Sequence, residues 1–181
     1  MDRLPFSATH LSRPYEAIHR LPVTVLLDNV RSMYNIGSFF RTGDAAAIEA
    51  ILLAGIASTP ERNPKQIAKT ALGAEFTVPW RYAADSVDLL ASLAPETEIA
   101  AIETTPRAID LFDWQPRFPV CVIFGHEVDG IQSALSERAD VHIRLPMLGV
   151  KHSLNVATAG GIVLYELLRK SLLSKTALTL S

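Results

Sequence analysis

Short apolar runs punctuate this chain at intervals that leave room for a helix between them. Val23–Leu27, Ala50–Ala54, Glu98–Ile102, Val120–Phe124 and Val141–Leu145 are mostly aliphatic and end in polar or glycine-bearing loops. Runs of this length and composition read as strands. The segments between them read as helices over Ile36–Ala47, Lys65–Leu72, Asp85–Leu93 and Ile131–Glu137, with a closing helix from near Ser153. Gly73 suits the position after a helix end, and Asp85 suits an N-cap. Phe76–Trp80 is extended in character, but Pro79 restricts it to a sheet edge. Strands alternating with helices define an α/β fold with a mostly parallel sheet flanked by helices. Such sheets bind ligands beyond the carboxyl ends of their strands.

The 181 residues suit one domain with a real core. We expect a short N-terminal extension over 1–20, with a short helix at Tyr15–Arg20. The domain proper covers 21–173, and a tail covers 174–181. No window reaches the ~18 apolar residues of a membrane span. No apolar signal segment opens the chain, so cytoplasm is the default compartment. The single cysteine, Cys121, falls inside a strand and reads as an inert core thiol. Net charge is −2, without the basic excess usual in nucleic-acid binders. Any RNA contact must come from a local patch, or from patches joined in an oligomer.

Three loops carry the candidate chemistry. The first is Asn35-Ile-Gly-Ser-Phe-Phe-Arg41, where Asn35 and Gly37 open a helix and Arg41 lies further along it. In isolation these read as a cap and a solvent-facing charge. The second is Phe124-Gly-His-Glu-Val-Asp-Gly-Ile131. Gly125 would let a ligand approach the backbone, and Glu127 can accept from a donor or an arginine. In isolation it is a turn with two surface acids. The third is the closing stretch Leu145–Glu166, where Ser153 suits an N-cap and Asn155 falls in the first helical turn. Leu154, Ala157, Gly161, Leu164 and Leu168 recur there at helical spacing. Gly160 and Gly161 cost about 1 kcal/mol each relative to Ala inside a helix. The pair therefore implies close approach of a backbone, a ligand or another helix.

Common alternatives are missing. No Gly-x-Gly-x-x-Gly follows the first strand, and no P-loop or Gly-x-Ser-x-Gly elbow occurs. No Cys/His cluster has metal-ligand spacing, so no metal is expected. His126 and His152 read as polar loop residues.

Taken together, the three loops resemble the three motifs of the SpoU (TrmH-like) RNA 2′-O-ribose methyltransferases of the SPOUT superfamily. The resemblance covers roughly residues 22–170. It implies a deep trefoil knot near the C-terminus, a topology otherwise rare. It implies S-adenosyl-L-methionine as cofactor, held by Thr104, Gly125, Leu145, Ser153 and Leu154, largely through backbone groups. Arg41, Asn35, Glu127, Ser153 and Asn155 would form the catalytic set. Arg41 matches the family's catalytic arginine. Because an arginine pKa exceeds ~12, we expect it to hold an RNA phosphate or the ribose rather than act as a base. Asn35 would orient the ribose or Arg41, and Glu127 would position Arg41 or accept a hydrogen bond.

Arg31, Arg41, Arg62, Lys65, Lys69 and Lys151 are the candidate RNA contacts. For Lys65 and Lys69 the competing reading is a solvated helix face. The resemblance also implies a homodimer formed through the C-terminal helix, and a tRNA or rRNA substrate, with tRNA guanosine favoured. Two other readings stand beside this one. A silent knot domain would have no need to keep all five catalytic-set residues. An ordinary nucleotide-binding α/β enzyme would carry the missing glycine fingerprint.

Overall fold

The computed structural model describes residues 18–179. Seven strands form one sheet: β1 (Leu21–Asp28), β2 (Ile48–Ala54), β3 (Trp80–Ala83), β4 (Glu98–Ile102), β5 (Ile109–Asp110), β6 (Val120–Phe124) and β7 (Val141–Arg144). Their order is β3-β2-β1-β6-β4-β7-β5. Every pairing between these strands is parallel. The helices are α1 (Met33–Ala45), α2 (Pro64–Ala71), α3 (Ser86–Ala91), α4 (Ser133–Ser136) and α5 (Val156–Thr179).

The strand alternation sorts two cores. Val23, Val25 and Leu27 of β1 join Val120, Val122 and Phe124 of β6 on one face. Phe39 and Phe40 of α1, Ile67 of α2 and Val163, Leu164 and Leu167 of α5 cover that face. Leu26, Leu52, Cys121 and Ile123 point the other way, toward Leu89 and Leu90 of α3 and Leu135 of α4. Period-two side-chain direction makes this division automatic. All five residues of β6 are buried, as a central parallel strand covered on both faces requires. Burial pushes the Cys121 thiol up to about 12, which fits an inert core residue.

Two glycines on the helical layer have steric causes. A Cβ at Gly37 would sit 2.4 Å from the Ile67 carbonyl oxygen, so α1 and α2 cross backbone to backbone at that point. A Cβ at Gly160 would sit 2.2 Å from Phe39 Cε1. Phe39 in turn packs at a tilt against Phe124, with ring centroids 5.0 Å apart and planes 57° from parallel. Gly160 therefore serves packing within the chain. Gly161 has ordinary room, its nearest contact being Thr42 Cγ2 at 4.0 Å.

Several boundaries differ from the sequence expectation. Helix α1 starts at Met33 rather than Ile36, and Ser32, not Asn35, caps it by accepting from the Asn35 N–H. Helix α5 starts at Val156, and Asn155 rather than Ser153 caps it, accepting from the Ala157 and Thr158 N–H groups at 3.0 and 3.3 Å. Both regions offer several eligible side chains, and only the backbone path selects one. Asp85 caps α3 as expected, through the Val87 N–H. Helix α2 ends at a left-handed Leu72, with Gly73 also left-handed. Where an extended piece was expected, Ala74–Phe76 forms a 3-10 turn, and the edge strand is β3 instead. Helix α4 is a single turn, shorter than Ile131–Glu137, and α5 runs past the expected tail boundary at 174. The helix expected at Tyr15–Arg20 lies largely outside the described residues. No helix among the described residues is long and apolar enough to cross a membrane.

Candidate active site

Strands β4, β6 and β7 lie side by side, and the loops leaving their carboxyl ends enclose a cleft of about 540 Å³. Thr104 enters from the loop after β4, Gly125 from the loop after β6, and Leu145 from the end of β7. Ser153 and Leu154 close it from the segment before α5. All five residues assigned to a cofactor from sequence thus share one cavity. His126 and His152 also line it. Nδ1 of His126 accepts from the Val128 and Asp129 N–H groups, so this histidine shapes its own loop.

The loop after β6 is closed by backbone contact rather than opened for a ligand alone. His126 and Gly130 pair as an antiparallel bridge. A Cβ at Gly125 would lie 2.2 Å from the Gly130 carbonyl carbon and 2.3 Å from Ile131 N. Gly130 adopts a φ of 75°, and a Cβ there would meet Glu103 Oε1 at 2.2 Å. Glu103, absent from the sequence-derived set, lines the cleft and accepts from the Ile131 N–H at 3.4 Å. Its position directly after β4 was the available signal. Met147 and Val128 complete the lining and were likewise unassigned.

At the cleft mouth, Glu127 is a hub. Its carboxylate accepts from the Arg31 N–H at 3.2 Å, the Ser32 N–H at 3.1 Å and Asn35 Nδ2 at 3.0 Å. Asn155 Nδ2 donates to Asn35 Oδ1 at 3.1 Å. Glu127, Asn35 and Asn155 therefore form one chain that joins the β6 loop, the start of α1 and the start of α5. Partial burial pushes the Glu127 pKa up, but the hydrogen bonds from its own backbone, Arg31, Asn35 and Ser32 outweigh it. The net result is a carboxyl group below its ordinary value. Carboxylates at helix starts are stabilised in this way.

Arg41 is exposed on α1, further along the helix than Asn35 and outside the cleft lining. Glu127 accepts hydrogen bonds at the first turn of that helix, the second of the two roles expected of it. The other cations divide. Lys65 and Lys69 are exposed on α2. Lys69 Nζ lies 3.4 Å from Tyr34 Oη. The Arg62 guanidinium lies over the Tyr82 ring, 4.3 Å from its centroid. Arg31 is exposed at the α1 start, and Lys151 is exposed on the loop that closes the cleft. Among the described residues, no cluster of three or more His, Cys, Asp or Glu could hold a metal ion.

A parallel sheet with a loop-built cleft at the carboxyl ends of its central strands is the arrangement in which α/β proteins bind small molecules. A family model described as the SpoU rRNA Methylase family matches residues 22–165, and the chain belongs to that family. A 23S rRNA (guanosine-2′-O-)-methyltransferase, RlmB, of Vibrio parahaemolyticus is 32% identical over 160 residues, 88% of this chain and 64% of that protein. A 23S rRNA (uridine(2479)-2′-O)-methyltransferase of Streptomyces viridochromogenes is 30% identical, over 92% of this chain and 61% of that one. The chain thus spans less than two thirds of the length of these curated relatives. The AdoMet-bound rRNA methyltransferase from Sinorhizobium meliloti superposes with a TM-score of 0.75 at 29% identity, covering 87% of this chain and 60% of that one. The TrmH/SpoU tRNA modifying enzyme of A. aeolicus gives 0.74 at 26% identity, covering 83% and 76%.

Proposed function

We propose that this chain transfers a methyl group from S-adenosylmethionine to a ribose 2′-hydroxyl of RNA. The observation that carries the reading is the Glu127–Asn35–Asn155 chain set at the mouth of the cleft. The cleft suits the cofactor. Its volume is in the range of small-molecule sites. Ile102, Ile143, Leu145 and Leu154 offer apolar surface for a neutral purine. The Glu103 and Glu127 carboxylates offer acceptors for hydroxyl and ammonium groups. Thr104, Gly125 and Ser153 would hold the remainder, mainly through backbone groups.

When bound, the cofactor supplies a methyl group on a cationic sulfur. Thr104, Gly125, Leu145, Ser153 and Leu154 would hold the cofactor while the ribose oxygen took the methyl carbon and the sulfur kept the bonding pair. The hydroxyl proton leaves to water at the open mouth. The protein's share is mostly alignment. Glu127, holding three donors at a lowered pKa, is an orienting acceptor and a poor base. Asn35 is fixed from both sides and presents its amide toward the ribose. Arg41, permanently charged, holds the phosphate or ribose, and Ser153 and Asn155 complete the surface. Arg41→Ala, assayed with tritiated cofactor and bulk RNA, is expected to lose at least about tenfold in methyl transfer while folding normally. Unchanged turnover removes Arg41 from the mechanism.

Ribosomal or transfer RNA is the substrate class, acted on in the cytoplasm. The relatives named for 23S rRNA weigh toward ribosomal RNA, alongside the tRNA guanosine that the family resemblance favours. Insertion of β6 between β1 and β4, with three loops converging on one cleft, supports the deep trefoil knot. Exposed Ile162, Tyr165 and Leu172 recur along α5 at helical spacing and support a homodimer through that helix. The boundaries at 21 and 173 are kept as the extent of the catalytic unit.

A further inference from the structure

Helix α1 carries a stripe of exposed Tyr34, half-buried Ser38 and exposed Arg41 at helical spacing. Tyr34 is 50% exposed and Phe76, on the 3-10 turn after α2, is 87% exposed. Phe76 lies beside the far end of α1, because its neighbour Thr77 donates to the Asp44 carboxylate. Along α1, Arg41 therefore lies between Tyr34 and the Asp44–Thr77 contact that anchors the turn carrying Phe76. At 1.5 Å per residue, Tyr34 and Arg41 are roughly 10 Å apart along the axis.

Basic side chains flank this stripe. Lys69 holds the Tyr34 hydroxyl, and its Nζ lies 5.8 Å from the ring centroid. Lys65 is one turn away on α2, and Arg62 precedes that helix. Two hydroxyls, from Ser38 and Thr70, donate to the Tyr34 carbonyl, each at 2.9 Å, and fix the backbone that carries the ring. The acids nearby are Asp44, bonded to Thr77, exposed Glu61, and Glu75, buried beside Phe76 and accepting from the Gly73 N–H. The chain as a whole carries a net charge of −2, so this cationic stripe runs against the overall balance.

We propose that the α1–α2 face binds an unpaired RNA segment, with Tyr34 and Phe76 stacking on bases to either side of the nucleotide at Arg41. The inference rests on the RNA methyltransferase reading and narrows it to single-stranded or loop substrate. An A-form duplex hides its base faces, whereas unpaired bases stack on aromatic rings beside cationic side chains. The charge supplies affinity and the rings select the unpaired form.

The test uses the full chain, a labelled single-stranded RNA of about twelve nucleotides, and the matching duplex, followed by fluorescence anisotropy across salt concentrations. The single strand is expected to bind more tightly than the duplex. Tyr34→Leu and Phe76→Leu should each weaken single-strand binding about fivefold or more, in line with the loss of one stacked base. Tyr34→Phe, which keeps the ring, should bind as the unaltered chain does. A Lys65→Ala/Lys69→Ala pair should reduce the salt slope by about 1 to 2. S-adenosylhomocysteine binding by calorimetry should be the same in all variants, which controls for folding. Preference for the duplex, or full binding by both leucine variants, overturns the proposal. A chain that shows this binding pattern yet transfers no methyl group sinks the methyltransferase reading and leaves the RNA surface standing.

Discussion

The cleft and the α1–α2 face are built by opposite means. Three loops make the cleft, and two of them, after β4 and β6, are held by contacts that regular secondary structure does not supply. The Gly125–Gly130 backbone crossing, the Glu103 acceptor and the Glu127 hub are such contacts. The α1–α2 face is two regular helices in close contact, and its side chains are simply those that face away from the core. The two regions share a grammar in sequence, a glycine among polar residues after a strand. Gly125 closes a loop around the cavity, whereas Gly37 lets one helix lie on another. The same residue type thus reports on ligand geometry in one place and on packing in the other.

Substituting the two glycines separates these roles. Gly125→Ala forces a Cβ against backbone atoms on the opposite side of its loop, which cannot yield as a side-chain tip would. S-adenosylhomocysteine affinity should fall by at least about tenfold, or 1.4 kcal/mol, read by calorimetry. Gly37→Ala drives a Cβ into the Ile67 carbonyl. It should cost about 1–3 kcal/mol, seen as a fall in melting temperature of some ~3–10 °C, with cofactor affinity retained in the folded fraction. If the two variants behave alike, the distinction between loop glycine and packing glycine fails.

Asn155 joins the two regions, since it caps α5 and binds Asn35. Asn155→Ala should cost about 1 kcal/mol from the lost cap and lower methyl transfer as well. A stability loss with full activity would make it a cap and nothing more. Glu127 gives the smallest effect. Its folded pKa lies below the ordinary value, so its contribution to stability is present above the usual glutamate range and is lost as pH falls through the folded value. Chemical denaturation at pH 7 and at about pH 4 should show a pH-dependent loss that Glu127→Gln diminishes. Because the group is largely exposed, solvent screening keeps that loss small. An identical pH dependence in the variant contradicts the hub.

The sequence was most informative where a physical requirement allowed few solutions. Glu98–Ile102 and Val120–Phe124 emerge with the boundaries read from their apolar runs, since buried parallel strands tolerate little else. The five cleft residues were legible through the resemblance of the three loops taken together, since Leu145 and Leu154 carry no small-residue signal of their own. The caps of α1 and α5 were not legible, although Asp85 at α3 was. Ser32 and Asn35, or Ser153 and Asn155, are equally able to accept from free N–H groups, and the chain's path chooses between them. Strand β5 has two residues, too short for any periodicity to show. The role of Gly37 depends on Ile67, thirty positions away in sequence, and no local pattern records that contact.

The central claim is methyl transfer to a ribose oxygen, and alkaline hydrolysis of the product tests it most directly. Total RNA is incubated with the full chain and tritiated S-adenosylmethionine, then digested with alkali. A free 2′-hydroxyl is needed for alkali to cleave the adjacent phosphodiester, so a methylated ribose protects that linkage. The account predicts tritium in alkali-resistant dinucleotides. Label in mononucleotides, the mark of base methylation, or no label in RNA at all, would contradict it.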